Sequence, residues 1–287
     1  MRRSMLFLPG NSPSMLMNGT ALPADAIILD LEDAVAPDQK DAARDLVANA
    51  LLQFDFGDRE IIIRVNPVNT DFFTDDLLTL LPKKPDTIML PKAESADDVL
   101  RVVELIETVS KRHEDADRVS IMPLIETSLG IEKAFEIASA HPRVTAIFLG
   151  AEDLSADMRC ERTKEGTEIL YARGRMVMAA RAAGIAVMDT PFTDVNDMEG
   201  LEKDTRFAKG LGFSGKAVIS PHHLQTVNRV FSPTDDEIAY AQDVMRVIEQ
   251  GKKEGKGAVS LRGKMIDAPI VERARQTLEA AHELNRI

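Results

Sequence analysis

Ser120-Ile-Met-Pro-Leu-Ile125 runs straight into Glu126, and Val144-Thr-Ala-Ile-Phe-Leu149 is followed by Gly150-Ala-Glu-Asp153. Both runs are apolar almost without a break, the pattern of strands buried on both faces in a parallel sheet. Each carboxylate therefore falls where a strand ends and a loop opens. Six further runs share this character, at residues 4–8, 26–31, 60–65, 87–90, 185–189 and 215–219. Helical patterns lie between them at 41–52, 96–112, 131–140, 166–183 and 195–209, with Gly57, His141-Pro142 and Gly184 as stops. Eight βα units predict an α/β fold closed as a (β/α)8 TIM barrel. The competing open, doubly wound sheet calls for G-x-G-x-x-G in the first turn, and Leu8-Pro-Gly-Asn-Ser12 does not supply it.

The barrel accounts for residues 1–232. Residues 233–287 exceed its needs: a helical stretch at 234–250, the polar segment Gly251-Lys-Lys-Glu-Gly-Lys-Gly257, and a last helix at 269–284. Three glycines in that segment predict a mobile hinge, and the remainder a helical arm reaching over a barrel mouth, its own or a neighbour's.

The 287 residues carry a formal charge of −12, which disfavours nucleic acid and anionic lipid as partners. No segment reaches the ~18 apolar residues of a membrane span. The run after Met1-Arg-Arg-Ser4 stops at Pro9-Gly10, too short for a signal peptide. A single cysteine, Cys160, excludes an intrachain disulfide, and the cytoplasm is the expected location.

In order, the strand ends present Pro9-Gly10, Glu32-Asp33, Arg64 with Asn66, Lys92, Glu126, Glu152-Asp153, Asp189-Thr190 and Ser220-Pro-His-His223. Carboxylates converging from separate segments, with no His/Cys cluster of zinc spacing, suit Mg²⁺ or Mn²⁺. Glu126 and Asp153 also read as helix-start acids favoured by the dipole, and Glu32-Asp33 as a capping cluster. Arg64, inside Ile61-Ile-Ile-Arg-Val65, is costly to bury unless it meets an anion. Lys92 has the freedom to snorkel. His222-His223 read as turn residues, and Met176-Val-Met178 as core.

At these residues the chain resembles the citrate lyase β-subunit/malyl-CoA lyase family of Mg²⁺-dependent carbon–carbon lyases. The motifs are Arg3-Ser-Met-Leu-Phe-Leu-Pro-Gly10, Asp30-Leu-Glu-Asp-Ala-Val35, Arg64-Val-Asn66, Leu90-Pro-Lys92, Ile125-Glu-Thr127 with Gly130, Gly150-Ala-Glu-Asp153, Gly212-Phe-Ser-Gly-Lys216 and Gly263-Lys-Met-Ile-Asp267. Arg159-Cys-Glu-Arg162, Glu165-Gly-Thr-Glu168 and Tyr171-Ala-Arg173 are most similar to the citrate lyase β branch. Ile219-Ser-Pro-His-His223 departs from relatives that carry His or Asn before the proline and Gln two positions after it.

The resemblance implies Mg²⁺ on Glu126 and Asp153, and a substrate carboxylate on Arg64, with Lys92, Pro9 and Gly10 lining the substrate site. It implies retro-Claisen cleavage of a citryl thioester on an acyl-carrier protein or coenzyme A, giving oxaloacetate and an acetyl thioester. Asp267 is the implied proton donor, completing a neighbour's site in a homo-oligomer, often a trimer, and other citrate lyase subunits are implied partners. Glu32 and Asp33 are expected to hold water around the metal. The basic residues Lys252, Lys253, Lys256, Arg262 and Lys264 offer a docking patch for an acidic carrier, or simply a solvated loop. The alternatives are a stand-alone citramalyl-CoA or malyl-CoA lyase or thioesterase, and a non-catalytic binding subunit.

Overall fold

The computed structural model describes residues 1–113, 117–255 and 259–287. They form two compact units, Arg2–Asn228 and Arg229–Ile287 with Met1.

The first unit is the predicted barrel. Strands β1 (Ser4–Pro9), β2 (Ala26–Asp30), β3 (Glu60–Arg64), β4 (Thr87–Leu90), β5 (Ser120–Ile125), β6 (Ala146–Leu149), β7 (Ala186–Asp189) and β8 (Gly215–Val218) close in sequential order, β8 pairing with β1. Every pairing is parallel; Ile125 lies opposite Leu149, and Asp30 opposite Arg64. Val144, expected to open the sixth strand, makes only an isolated bridge to Ile121.

Alternation along the strands separates two apolar sets. Met5, Ala26, Ile28, Ile62, Met89, Met122, Leu124, Ala146, Phe148, Met188 and Ala217 form one buried cluster inside the barrel. Residues such as Ile27, Ile61, Ile63, Ile121 and Ile147 fall in the opposite phase, are also buried, and face the surrounding helices. Both faces of each strand are therefore covered, which explains the unbroken apolar runs.

The helices of this unit are α1 (Pro13–Gly19), α2 (Lys40–Gln53), α3 (Phe72–Leu80), α4 (Ala96–Ser110), α5 (Ser128–Glu132), α6 (Ala134–Ala138), α7 (Ala151–Asp157), α8 (Leu170–Ala183) and α9 (Met198–Leu211); α10 (Leu224–Phe231) spans the residue at which the units divide. The helix expected at 131–140 is two short ones. Thr127 caps α5 through its hydroxyl, and Lys133, at φ −95° and ψ 11°, interrupts the spiral. The helix expected from 166 starts at Leu170, because Gly166 takes φ +65° and Glu168 is drawn back onto Thr163. Met176 is core as predicted, but Met178 is 69% exposed, since residues two apart lie on opposite faces of a helix.

The second unit contains α11 (Asp235–Lys253), a hairpin of β9 (Val259–Leu261) and β10 (Lys264–Ile266), and α12 (Ala268–Glu283). A small core of Ala241, Val244, Ile266 and Ala274 holds them together. The hinge expected at 251–257 begins instead as helix: Gly251, Lys252 and Lys253 form the last turn of α11, and Gly251 is buried against Val259, leaving no room for a Cβ. Lys256 and Gly257 lie outside the described residues. Among the described residues no helix is long and apolar enough to cross a membrane.

Candidate functional site

Continuing the inward alternation by one step beyond the barrel core reaches Pro9, Asp30, Arg64, Glu126, Gly150, Thr190 and Ile219. These residues, over a floor of Phe7, Leu124 and Phe148, line a cavity of about 430 Å³ at the C-terminal ends of the strands. Asp33 and Asp153 complete its wall. A wider depression, about 700 Å³, opens at the strands' N-terminal ends. There Arg2 pairs with Glu60, and Arg59 is held by the carbonyls of Leu22 and Phe56. Barrel enzymes keep their chemistry at the C-terminal end, and the convergent acids are found there too.

The buried anion that Arg64 requires is Asp30. Arg64 Nε donates to Asp30 Oδ1 at 2.7 Å and Nη2 to Oδ2 at 2.6 Å, with the residues 8% and 2% exposed. Burial works against the guanidinium charge, but Asp30 first, then Glu32 and Asp33, raise its pKa further. Nη1 lies 2.9 Å from Glu32 Oε2 and 3.3 Å from Asp33 Oδ2, and the guanidinium carbon stands 5.0 Å over the Phe7 ring. The side-on fork expected to grip substrate is thus spent on Asp30, and the Nη1 end is the part beside exposed Asp33. Asp30 also accepts from the backbone N–H groups of Glu32 and Ala34, shaping the loop that carries both acids. Buried Lys40 ties the same loop by donating to the carbonyls of Leu31 and Glu32.

Glu126 is 4% exposed, and its Oε1 accepts from Lys92 N at 3.0 Å. Burial, then the charges of Glu32 and Asp153, push its carboxyl up to about 8. Burial likewise raises Glu32. Lys92 takes φ +52°, a left-handed conformation that strains a non-glycine residue. This turn aims its ammonium between Glu32 Oε1 and Asp153 Oδ2, 3.3 Å from each. Burial opposes the Lys92 charge, but Glu32 and Asp153 outweigh it and raise its pKa. Two acids from two strand ends therefore share one ammonium, and a third, Glu126, takes the backbone N–H of the same residue. The Glu126–Asp153 pair offers the all-oxygen donors a hard divalent cation takes, and burial, then the neighbouring Glu32 and Asp153 charges, leave the Glu126 carboxyl short of countercharge.

Over residues 3–221 the chain matches the HpcH/HpaI aldolase/citrate lyase family model. The chain belongs to this family. The citrate lyase subunit beta of Leuconostoc mesenteroides subsp. cremoris is 41% identical over 98% of this chain and 94% of that protein. The CitE protein of Mycobacterium tuberculosis in complex with magnesium, acetoacetate and coenzyme A is 31% identical, with a TM-score of 0.80 over 98% of each chain. The citrate lyase beta subunit of M. tuberculosis complexed with oxaloacetate and magnesium is 31% identical, with a TM-score of 0.69 over 80% of this chain and 96% of that one. The chain is an enzyme of this carbon–carbon lyase family and a homologue of its citrate lyase β-subunits.

Set on the family's barrel, the sequence-predicted residues divide into three groups. Arg64, Glu126, Asp153, Asp33 and Pro9 meet at the cavity, with Glu32 and Lys92 bound to them by ion contacts. Gly10 is backbone support: its N–H donates to Asp30 O at 2.8 Å, and a Cβ there would come within 2.6 Å of that oxygen. Asp267 belongs to the second unit, exposed at the start of α12, where its Oδ1 accepts from Ile270 N. Of the basic residues, Arg262 pairs with Asp243 and stacks over Tyr240, while Lys252 and Lys253 stand in the last turn of α11. His223 is buried, with Nε2 3.3 Å from Val195 O, and Cys160 is exposed. Asp30 is a cavity residue that the strand-end reading passed over, and Thr190 stood in that ring without an assigned role. The inward phase of Ile28 and Met188, carried on by two residues, was the signal for both.

Proposed function

We propose that the chain cleaves a citryl thioester between C2 and C3, giving oxaloacetate and an acetyl thioester. The observation that carries this reading is the convergence of Glu126, Asp153 and Arg64 on one apolar-floored cavity, in a family with relatives solved with magnesium and keto acids. The C3 hydroxyl gives its proton to a water in the cavity and becomes the keto group as the C2–C3 bond breaks. The bonding pair passes to C2 of the departing thioester enolate, which then takes up a proton.

Glu126 and Asp153 would hold Mg²⁺, which when bound there lowers the pKa of the substrate hydroxyl. The chain's own groups do the rest. Arg64 Nη1 supplies countercharge and orientation to a substrate carboxylate, while Asp30 prevents the guanidinium from turning. Phe7, Leu124 and Phe148 keep water from beneath the breaking bond. Glu32 and Asp33 would hold water beside the bound ion. Asp267 of a second copy protonates the enolate at C2, with the α11–α12 unit as the arm that brings it. The carrier is an acyl-carrier protein or coenzyme A, and the basic residues of that arm are its proposed docking contacts, within an assembly that includes other citrate lyase subunits.

The deciding measurement is an assay of the purified chain with Mg²⁺ on citryl, citramalyl and malyl thioesters. Oxaloacetate from citryl thioester, lost in Glu126→Gln, is expected. Turnover of malyl or citramalyl thioester alone would overturn the substrate, and full activity in Glu126→Gln would overturn the metal pair.

A further inference from the structure

The helix that carries Asp153 lacks an ordinary cap. Its N-cap residue, Gly150, has no side chain to accept from the first-turn N–H groups. Nor can a capping side chain stand there: a Cβ at residue 150 would come within 2.5 Å of Glu126 Oε2 and 2.6 Å of Glu126 Cβ. The tight approach of one proposed ligand thus strips the cap from the helix that bears the other. The missing acceptor arrives from a different strand, since Ala151 N donates to Thr190 Oγ1 across 3.2 Å in a buried position.

Thr190 is itself fixed by charges the proposed chemistry does not use. Lys216 Nζ, fully buried, donates to Thr190 O at 2.7 Å, Asp189 Oδ2 at 2.6 Å and Asp204 Oδ2 at 2.6 Å. Arg173, equally buried, grips Asp189 at 3.0 and 2.9 Å and reaches Asp204 at 2.7 Å. Two cations and two carboxylates cancel, leaving Lys216's third donor for the carbonyl of Thr190. Such a cluster is costly to desolvate, and its six contacts hold the four side chains and the Thr190 carbonyl together, although Arg173 Nη1 is left without a hydrogen-bond partner among the described residues.

We infer that Thr190 is a positioning residue for the metal centre: with its backbone carbonyl anchored by the Arg173–Asp189–Lys216–Asp204 cluster, its hydroxyl caps the Asp153 helix in place of residue 150 and sets Asp153 against Glu126. The inference rests on the proposed assignment of Glu126 and Asp153 as ligands. Thr190→Val removes the acceptor at nearly constant shape, and Thr190→Ser keeps it.

The test is Mn²⁺ titration of the full-length protein without substrate, by calorimetry and by the paramagnetic signal of free Mn²⁺, together with melting temperatures in chelator. Thr190→Val should bind Mn²⁺ roughly ten- to a hundredfold more weakly, the range for supporting groups around a metal. Thr190→Ser should bind like wild type. Thr190→Ala, which deletes the same acceptor with less crowding, carries the test if valine prevents folding. Wild-type affinity in Thr190→Val with only a lower melting temperature overturns the inference, as does Thr190→Ser binding as weakly as Thr190→Val. A wild-type protein that binds no Mn²⁺, or Glu126→Gln that binds it as well, overturns the ligand pair and the inference with it.

Discussion

Asp30 and Arg64 are a pair in which each charge needs the other, because burial removes the water that would solvate either alone. Truncating one member of such a pair costs about 3–5 kcal/mol. Asp30→Ala should therefore lower unfolding free energy by that order in urea titrations and reduce turnover, since Arg64 loses the partner that aims it. An unchanged urea midpoint would show that Glu32 and Asp33 suffice to hold the guanidinium. The sequence made the need for an anion legible, because an arginine between β-branched residues has nowhere else to put its charge. It did not say which anion. Glu32 and Asp33 were conspicuous beyond the strand end, whereas Asp30 was hidden inside the apolar run 26–31. Lys92 was legible as a strand-end cation, but its left-handed backbone, which sends the ammonium between Glu32 and Asp153, follows from no local pattern.

At the scale of elements, β-strands were read more faithfully than helices. All eight barrel strands are where the apolar runs put them, since a strand covered on both faces leaves a continuous signature. Helices 131–140 and 166–183 were overextended because side chains override helical periodicity at both: the Thr127 cap with the Lys133 break, and the carboxylate of Glu168. Glu168 accepts from Thr163 N at 3.1 Å, Thr163 Oγ1 at 2.7 Å and Arg162 Nη1 at 2.6 Å. Burial alone would raise its pKa; the Thr163 hydroxyl and backbone bonds and Arg162 bring it down to about 2. A carboxylate depressed in the folded state stabilises above its ordinary pKa and loses that contribution as pH falls. The stability gap between wild type and Glu168→Gln should thus be full above pH ~4.5 and shrink toward pH ~2. Acid titration of both proteins by circular dichroism checks this, and a gap that stays constant across the window contradicts it.

On the scale of the whole molecule, the proposed proton donor and metal pair belong to different compact units, Asp267 in one and Glu126 with Asp153 in the other. If Asp267 acts in a second copy, mixing inactive Glu126→Gln and Asp267→Asn chains should restore part of the wild-type rate. Verified subunit exchange without recovery would remove Asp267 from a neighbour's site. The sequence offered the second unit only as a polar segment and two helices, and the β9–β10 hairpin before Asp267 left no apolar run to find it by. The barrel's inward alternation also bears on how this scaffold tolerates change. Deleting one residue within β5 would leave a strand still able to pair, but would turn Glu126 toward the outer helices and bring its neighbour into the mouth. Exchanges of one inward apolar side chain for another are graded in effect, whereas a change of length in a strand inverts its faces at once. Variation of this enzyme toward new substrates is therefore channelled into point substitutions at the rim and length changes in the loops beyond it.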